Sequence, residues 1–140
     1  MTAGIVIIGA GECGTRAAFA LRQAGYDGLI NLVGAESHLP YERPPLSKAV
    51  LASNEAPAKL VTTAEQLVAA RIDYHPGLNA SAIDRPGKRV LLETGTSLPY
   101  EKLLLATGAH PRKATHHHAA IPQLHYLRSF DDCATLRRRL

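Results

Sequence analysis

The stretch that most limits what this chain can fold into is Gly4-Ile5-Val6-Ile7-Ile8 followed at once by Gly9-Ala10-Gly11-Glu12-Cys13-Gly14. A continuous β-branched run has no polar side to show to water, so it reads as a strand buried on both faces, as in parallel sheets. From Glu12 to Ala24 the apolar residues Cys13, Ala17, Leu21 and Ala24 recur at helical steps, and Gly25 is a natural stop. A Tyr26-Asp27-Gly28 turn leads into a second apolar run, Leu29 to Val33. The order strand, helix, strand predicts a right-handed parallel crossover, with the first strand central.

The hexamer spells G-x-G-x-x-G, which alone is weak, because glycine-rich turns are common. Its setting strengthens it: a buried strand precedes it, an amphipathic helix opens from it, and Glu36 follows Gly14 by 22 residues near the end of the second strand. Gly9 permits the tight turn, Gly11 lets backbone approach a diphosphate, and Gly14 lets the helix close on the strand. The helix start offers unpaired N–H groups and partial positive charge to phosphate. Glu36 is the acid expected to accept from both adenosine ribose hydroxyls, and its charge disfavours a 2′-phosphate. The alternative is a structural α/β turn with an incidental acid nearby. The motif does not choose between NAD and FAD.

The whole 140-residue chain is 46% hydrophobic and 20% charged with a formal charge of +4, which suits one soluble domain built on one core. A second full domain does not fit, since two-domain enzymes need about 200 residues or more. The longest apolar run, Ala3 to Gly11, is nine residues with three glycines, far short of the ~18 that a membrane span needs. The start has no basic segment leading into an apolar one, so no signal peptide is expected. Cys13 and Cys133 lie 120 positions apart without metal-ligand spacing, pointing to a reducing, cytoplasmic setting. Arg137, Arg138 and Arg139 read as a solvated helix end, and with five Tyr, two Phe and no Trp the chain lacks a base-stacking platform. Neither nucleic acid nor membrane is an expected partner.

Farther along, the three prolines between Leu39 and Pro45 are expected to forbid helix and hold an extended path. Helices are expected at Leu46 to Ala52, Ala64 to Arg71 and Asp131 to Leu140, and a short strand at Ile72 to Tyr74. Asn79 to Asp84 and Arg89 to Glu93 flank an Arg85-Pro86-Gly87-Lys88 hairpin turn. Leu103 to Ala106 reads as a second fully buried strand, and Ala109 to Gln123 as loop. His116-His117-His118, with His110 and His125, could attract a metal but has no interleaved Cys or carboxylate, so incidental histidines are the preferred reading and no metal site is assigned. No Ser-His-Asp elbow or paired-carboxylate motif is present, so hydrolase chemistry has no support and no catalytic side chain is assigned.

Leu39-Pro40-Tyr41-Glu42-Arg43-Pro44-Pro45-Leu46-Ser47-Lys48 resembles the flavin-binding part of the FAD-dependent ferredoxin reductase family that serves dioxygenases and monooxygenase cytochromes, the putidaredoxin and rubredoxin reductase type. Leu103-Leu104-Leu105-Ala106-Thr107-Gly108-Ala109-His110-Pro111-Arg112 is similar to that family's second flavin signature, and Tyr126-Leu127-Arg128-Ser129-Phe130-Asp131-Asp132 to the segment leading toward its NADH domain. With the glycine hexamer, four ordered motifs run through nearly the whole chain. The resemblance implies an α/β Rossmann-like parallel sheet, helices on both faces and a small antiparallel hairpin layer, with residues 1–140 a partial FAD-binding domain, incomplete relative to the family.

The resemblance also implies roles. Gly9, Gly11, Cys13 and Gly14 line the FAD diphosphate, and Glu36 holds the ribose. Arg43, Pro45 and Lys48 approach the flavin, where a cation would stabilise a reduced, anionic ring. Ala80 offers backbone to the adenine, Ala106, Thr107 and Gly108 sit against the cofactor, and Arg128 contacts it. Without the motif Lys48 would be an ordinary exposed helix lysine, and Arg128 remains readable as a solvated arginine. Cys13 stands where the family usually has a small inert residue and is expected to be a small buried packing residue without redox chemistry. Ala35 precedes Glu36 where related chains often carry another acid.

The implied function is the flavoprotein half of an oxidoreductase that carries electrons from NADH through FAD to a ferredoxin-type iron-sulfur partner. A second glycine-rich NADH fold, a returning strand and a C-terminal interface domain, all present in the family, are missing here. The chain is therefore expected to be a fragment, inactive alone, with an unpaired sheet edge and weak FAD binding. The alternative is a non-catalytic nucleotide-binding remnant. A single-domain NAD module is disfavoured by Pro44-Pro45-Leu46-Ser47-Lys48.

Overall fold

Strand β1 (Gly4–Ile8) is buried at every position, as its uninterrupted apolar run requires. The computed structural model describes residues 3–53, 57–114 and 124–140. Its backbone separates into two compact units, Met1–Tyr41 with Leu60–Gly108 and Glu42–Lys59 with Ala109–Leu140, where composition alone suggested one core. The histidines at 116–118 lie outside the described residues.

In the first unit β1 is flanked in parallel by β2 (Ile30–Gly34) and by β6 (Ser97–Leu105), with Ile7 in register with Leu32 on one side and Leu104 on the other. Outside β2 runs β3 (Ile72–Pro76), also parallel, and beyond β6 come β5 (Arg89–Leu92) and β4 (Ala80–Asp84), both antiparallel. The order is β3-β2-β1-β6-β5-β4.

Side chains alternate across β1. Ile5 and Ile7 join Ile30, Leu32 and Ile72 beneath α1 (Glu12–Gln23) and α3 (Ala64–Ala69), which contribute Ala18 and Leu67. Val6 and Ile8 join Val33 and, from the antiparallel strands, Val90, Leu92, Leu98 and Tyr100. The expected α/β parallel sheet with an antiparallel layer is thus present, and that layer, rather than more helices, covers the second face of this unit. Each fully buried aliphatic contributes about 1.5–3 kcal/mol to holding the layers together.

Some local expectations need correction. The inner face of α1 is Gly14, Thr15 and Ala18, and Cys13 is exposed. Counting only apolar side chains missed Thr15, whose hydroxyl reaches the Ala10 carbonyl at 3.4 Å and so can be buried. The strand expected to be fully buried at Leu103 to Ala106 is the end of the longer β6, and Leu105 is 59% exposed. Pro99 hid its first half. The ladder with β5 ends at Pro99 and that with β1 begins at Tyr100, so a residue lacking an N–H fits there. Past Pro99, the ladders that include β6 run to β1 among the described residues.

In the second unit the prolines do not hold an extended path throughout. Pro44 and Pro45 start a 3-10 turn (Pro44–Ser47), where proline's fixed φ is tolerated at the first positions. The expected helix at Leu46 to Ala52 is therefore two pieces, that turn and α2 (Ala49–Ala52), broken at Lys48 with φ −129 and ψ −112. Helix α4 spans Phe130–Arg137, opened by a capping box between Ser129 and Asp132.

Candidate functional site

The glycine loop lies at the carboxyl ends of β1 and its two neighbours. Gly9 donates its N–H to the Val33 carbonyl and Ala106 donates to the Ile8 carbonyl, so the ends of β2, β1 and β6 are tied together at this point. The chain order reverses here, β2 lying on one side of β1 and β6 on the other, which is where open α/β sheets form a ligand crevice.

The three glycines meet different demands. Gly9 has φ +110, and a Cβ there would lie 2.1 Å from the Ala106 carbonyl oxygen. At Gly14 a Cβ would lie 1.9 Å from the Gly9 carbonyl oxygen, so the helix could not close on the loop with any side chain there. Gly11 is different: a Cβ would meet nothing within 4 Å. Packing does not require this glycine, and the open space in front of it adjoins the start of α1. Gly11 is the N-cap and supplies no side-chain bond, so the first amides of the helix remain available to an anion. Cys13, exposed on that first turn, is placed beside the same space by sequence position rather than packed into the core.

Glu36 follows β2 by two residues and is half-buried. Its Oε2 accepts a hydrogen bond from the Tyr41 hydroxyl, and its carbonyl accepts from the Gly77 N–H at 3.0 Å. Nearby, Tyr74 donates to the His38 carbonyl at 2.8 Å. Burial and then the Glu36 charge push the Tyr74 phenol above its ordinary range. Ala106 is half-buried, and Thr107 and Gly108 are exposed, with Gly108 at φ +71. Ala80 begins β4, its side chain packed against the second-face cluster. The first unit therefore brings Gly9, Gly11, Cys13, Gly14, Glu36 and Ala106–Gly108 to the strand carboxyl ends, with Ala80 at the edge of the antiparallel layer.

The other four residues lie in the second unit. Arg43 and Arg128, 85 positions apart, meet directly: the Arg43 guanidinium donates to the Arg128 carbonyl at 2.7 Å. The Asp132 carboxylate accepts from the Arg128 and Ser129 amides at 3.0 and 2.8 Å. Partial burial pushes that carboxyl up, but the Ser129 amide and hydroxyl, the Arg128 amide and the charge of Arg43 outweigh it and hold it below its ordinary value. Pro45 is half-buried, and its carbonyl accepts the Lys48 N–H at 3.0 Å. Lys48 is exposed at the break before α2.

The sequence reading missed Tyr41 as a partner of Glu36, and Asp132 as the acid that organises the Arg128 backbone. The second had a signal, since Ser129-Phe130-Asp131-Asp132 matches the spacing of a capping box. A cavity of about 630 Å³ lies elsewhere, at the amino ends of β2 and β3, where Asn31, Asp73 and His75 line it. It is at the other end of the strands from the glycine loop and forms no part of this site.

The family model for pyridine nucleotide-disulphide oxidoreductases matches residues 3–140. A rubredoxin-NAD(+) reductase of Pseudomonas putida is 43% identical over 137 residues, covering 97% of this chain and 36% of that protein. The ferredoxin–NAD(+) reductase component of a p-cumate 2,3-dioxygenase system from the same organism is 40% identical over 136 residues, covering 97% and 34%. Among solved structures, a ferredoxin reductase from Rhodopseudomonas palustris superposes with a TM-score of 0.92 at 40% identity, covering 99% of this chain and 34% of that one. Putidaredoxin reductase, solved as a covalent complex with putidaredoxin, gives 0.86 at 34% identity, again covering 99% and 34%. This chain spans about a third of the length of these relatives.

Proposed function

The chain belongs to the pyridine nucleotide-disulphide oxidoreductase family, and from that premise we propose that residues 1–140 form the FAD-binding portion of a reductase that carries electrons from NADH to a ferredoxin-type protein. The observation that carries the reading is the open space at Gly11, beside uncapped helix amides and between glycines that packing does require. A diphosphate fits there: it is small at its approach, anionic, and rich in acceptors for N–H groups.

Gly9, Gly11, Cys13 and Gly14 line the diphosphate, with the α1 amides as donors. Glu36 accepts from the adenosine ribose, and its charge disfavours a 2′-phosphate. Ala80 offers backbone to the adenine, and Ala106, Thr107 and Gly108 border the cofactor. By the resemblance Arg43, Pro45, Lys48 and Arg128 serve the flavin side, Lys48 as a cation that stabilises negative charge. When bound, FAD supplies the redox chemistry that accepts a hydride and releases electrons singly. The protein's own residues bind and orient, and none need act as acid, base or nucleophile. The electron source and acceptor follow the relatives named as ferredoxin– and rubredoxin–NAD(+) reductases.

The test is titration of the purified 140-residue chain with FAD, followed by flavin fluorescence, with ADP as competitor. Saturable binding that ADP reverses supports the reading, and weak affinity is expected. Absence of any saturable signal contradicts it.

A further inference from the structure

Resting on the FAD reading above, we infer that Tyr41 is a positioning residue: its hydroxyl orients the Glu36 carboxylate toward the nucleotide's ribose. Glu36 sits on a loop past the end of β2, where a glutamate side chain ordinarily samples several rotamers. Here the Tyr41 hydroxyl donates to Oε2. The donor is itself placed by groups that do not depend on Glu36. Tyr41 is 5% exposed, its backbone bridges Leu60, and the neighbouring Pro40 carbonyl accepts the Val61 N–H at 2.8 Å. Its ring stands edge-on to His38, with centroids 6.4 Å apart and an interplanar angle of 77°.

The loop between the two residues is pinned as well, through Gly77 at the Glu36 carbonyl and Tyr74 at the His38 carbonyl. Both ends of the Tyr41–Glu36 bond are therefore fixed by the fold. A carboxylate can accept about four hydrogen bonds, so a donor on one oxygen sets its plane while it can still meet a vicinal diol. Because Ala35 offers no second acid, orientation of this single carboxylate governs how well the diol is held.

The experiment is a double-mutant cycle in the 140-residue chain, with Tyr41→Phe, Glu36→Ala and both, reading FAD affinity by flavin fluorescence and folding by thermal unfolding. Tyr41→Phe keeps the buried ring and removes only the donor. It should weaken FAD about tenfold, the size of one hydrogen bond to a charged group, yet add less than about twofold once Glu36 is alanine. It should leave the dissociation constant of the competitor 2′,3′-dideoxy-ADP, which has no diol, unchanged. The inference is overturned if Tyr41→Phe binds FAD like the parent chain, or costs the same factor with and without Glu36, or weakens the dideoxy competitor equally. If Glu36→Ala weakens FAD while Tyr41→Phe does not, only this inference fails. If Glu36→Ala is itself without effect while the parent chain binds FAD, the ribose role of Glu36 fails and this inference with it; if the parent chain does not bind FAD, the FAD reading itself fails.

Discussion

The Cys133 Sγ donates to the Leu46 carbonyl oxygen at 3.1 Å, a buried bond between residues 87 positions apart. It is one of several bonds from α4 to carbonyls of the 3-10 turn and α2. The Arg137 guanidinium reaches the Val50 and Ser53 carbonyls at 3.1 and 2.8 Å. Short helices have carbonyls without internal partners, and α4 supplies the donors they lack. The segment from Pro44 to Ala52, which carries Lys48, is held in this way together with burial of Leu46 and Val50.

The two thiols should therefore differ in reactivity. Cys13 is exposed and Cys133 is fully buried, so a thiol reagent should label one cysteine in the folded chain and the second only on unfolding. Cys133→Ala should lower stability by about 1–2 kcal/mol, from the lost bond and the small cavity. Labelling followed by peptide mass mapping, and urea unfolding, check the two halves.

Asp132 predicts an acid limb in stability. Its carboxyl is held below its ordinary value in the folded chain, so the stability it contributes is complete above the unfolded value and lost as pH falls through the lowered folded one. Urea unfolding from neutral pH down to that range should show a decline that is shallower in Asp132→Asn. At neutral pH the same substitution should cost about 1 kcal/mol through the damaged capping box. Equal acid slopes for parent and variant would contradict this.

Arg22 ties several segments of the first unit together. Its guanidinium bonds the carbonyls of Ala70, Tyr26, Gly28 and Arg71, joining the ends of α1 and α3. Arg22→Ala should lower stability by about 2–4 kcal/mol, and Arg22→Lys should recover only part, since an ammonium cannot span the same fork. Thermal unfolding of both variants measures it.

Gly11 and Gly14 should separate function from folding. Gly14→Ala forces a methyl against the Gly9 carbonyl and should cost about 1–3 kcal/mol or more. Gly11→Ala meets open space and, at φ −75, no backbone strain. It should leave unfolding within about 1 kcal/mol of the parent while weakening FAD about tenfold or more. A parallel loss of stability at both positions would remove the argument that Gly11 is kept open for a ligand.

How far the sequence revealed this structure depends on the kind of constraint. β1 and the glycine loop were legible because nothing but buried strand suits Gly4 to Ile8, and because Gly9 and Gly14 have no tolerable substitute. The hairpin was legible from Pro86-Gly87, with the Gly87 N–H bonded to Asp84. The first half of β6 was hidden by Pro99, whose tolerance depends on two ladders meeting there. The role of Arg22 was not legible, because its partners are backbone carbonyls, which carry no sequence signature. In the site, the residue types at Gly11 and Glu36 were legible, whereas Tyr41 as the donor to Glu36 was not, since their bond depends on the bridge to Leu60.

The central claim, that the loop from Gly9 to Gly14 receives the diphosphate of FAD, is tested most directly by the amide spectrum of the ¹⁵N-labelled chain during FAD titration. The account predicts that the amides of Gly11, Glu12, Cys13 and Gly14 shift earliest and farthest, with Glu36 following. Saturation with FAD that leaves those four amides unmoved would contradict it.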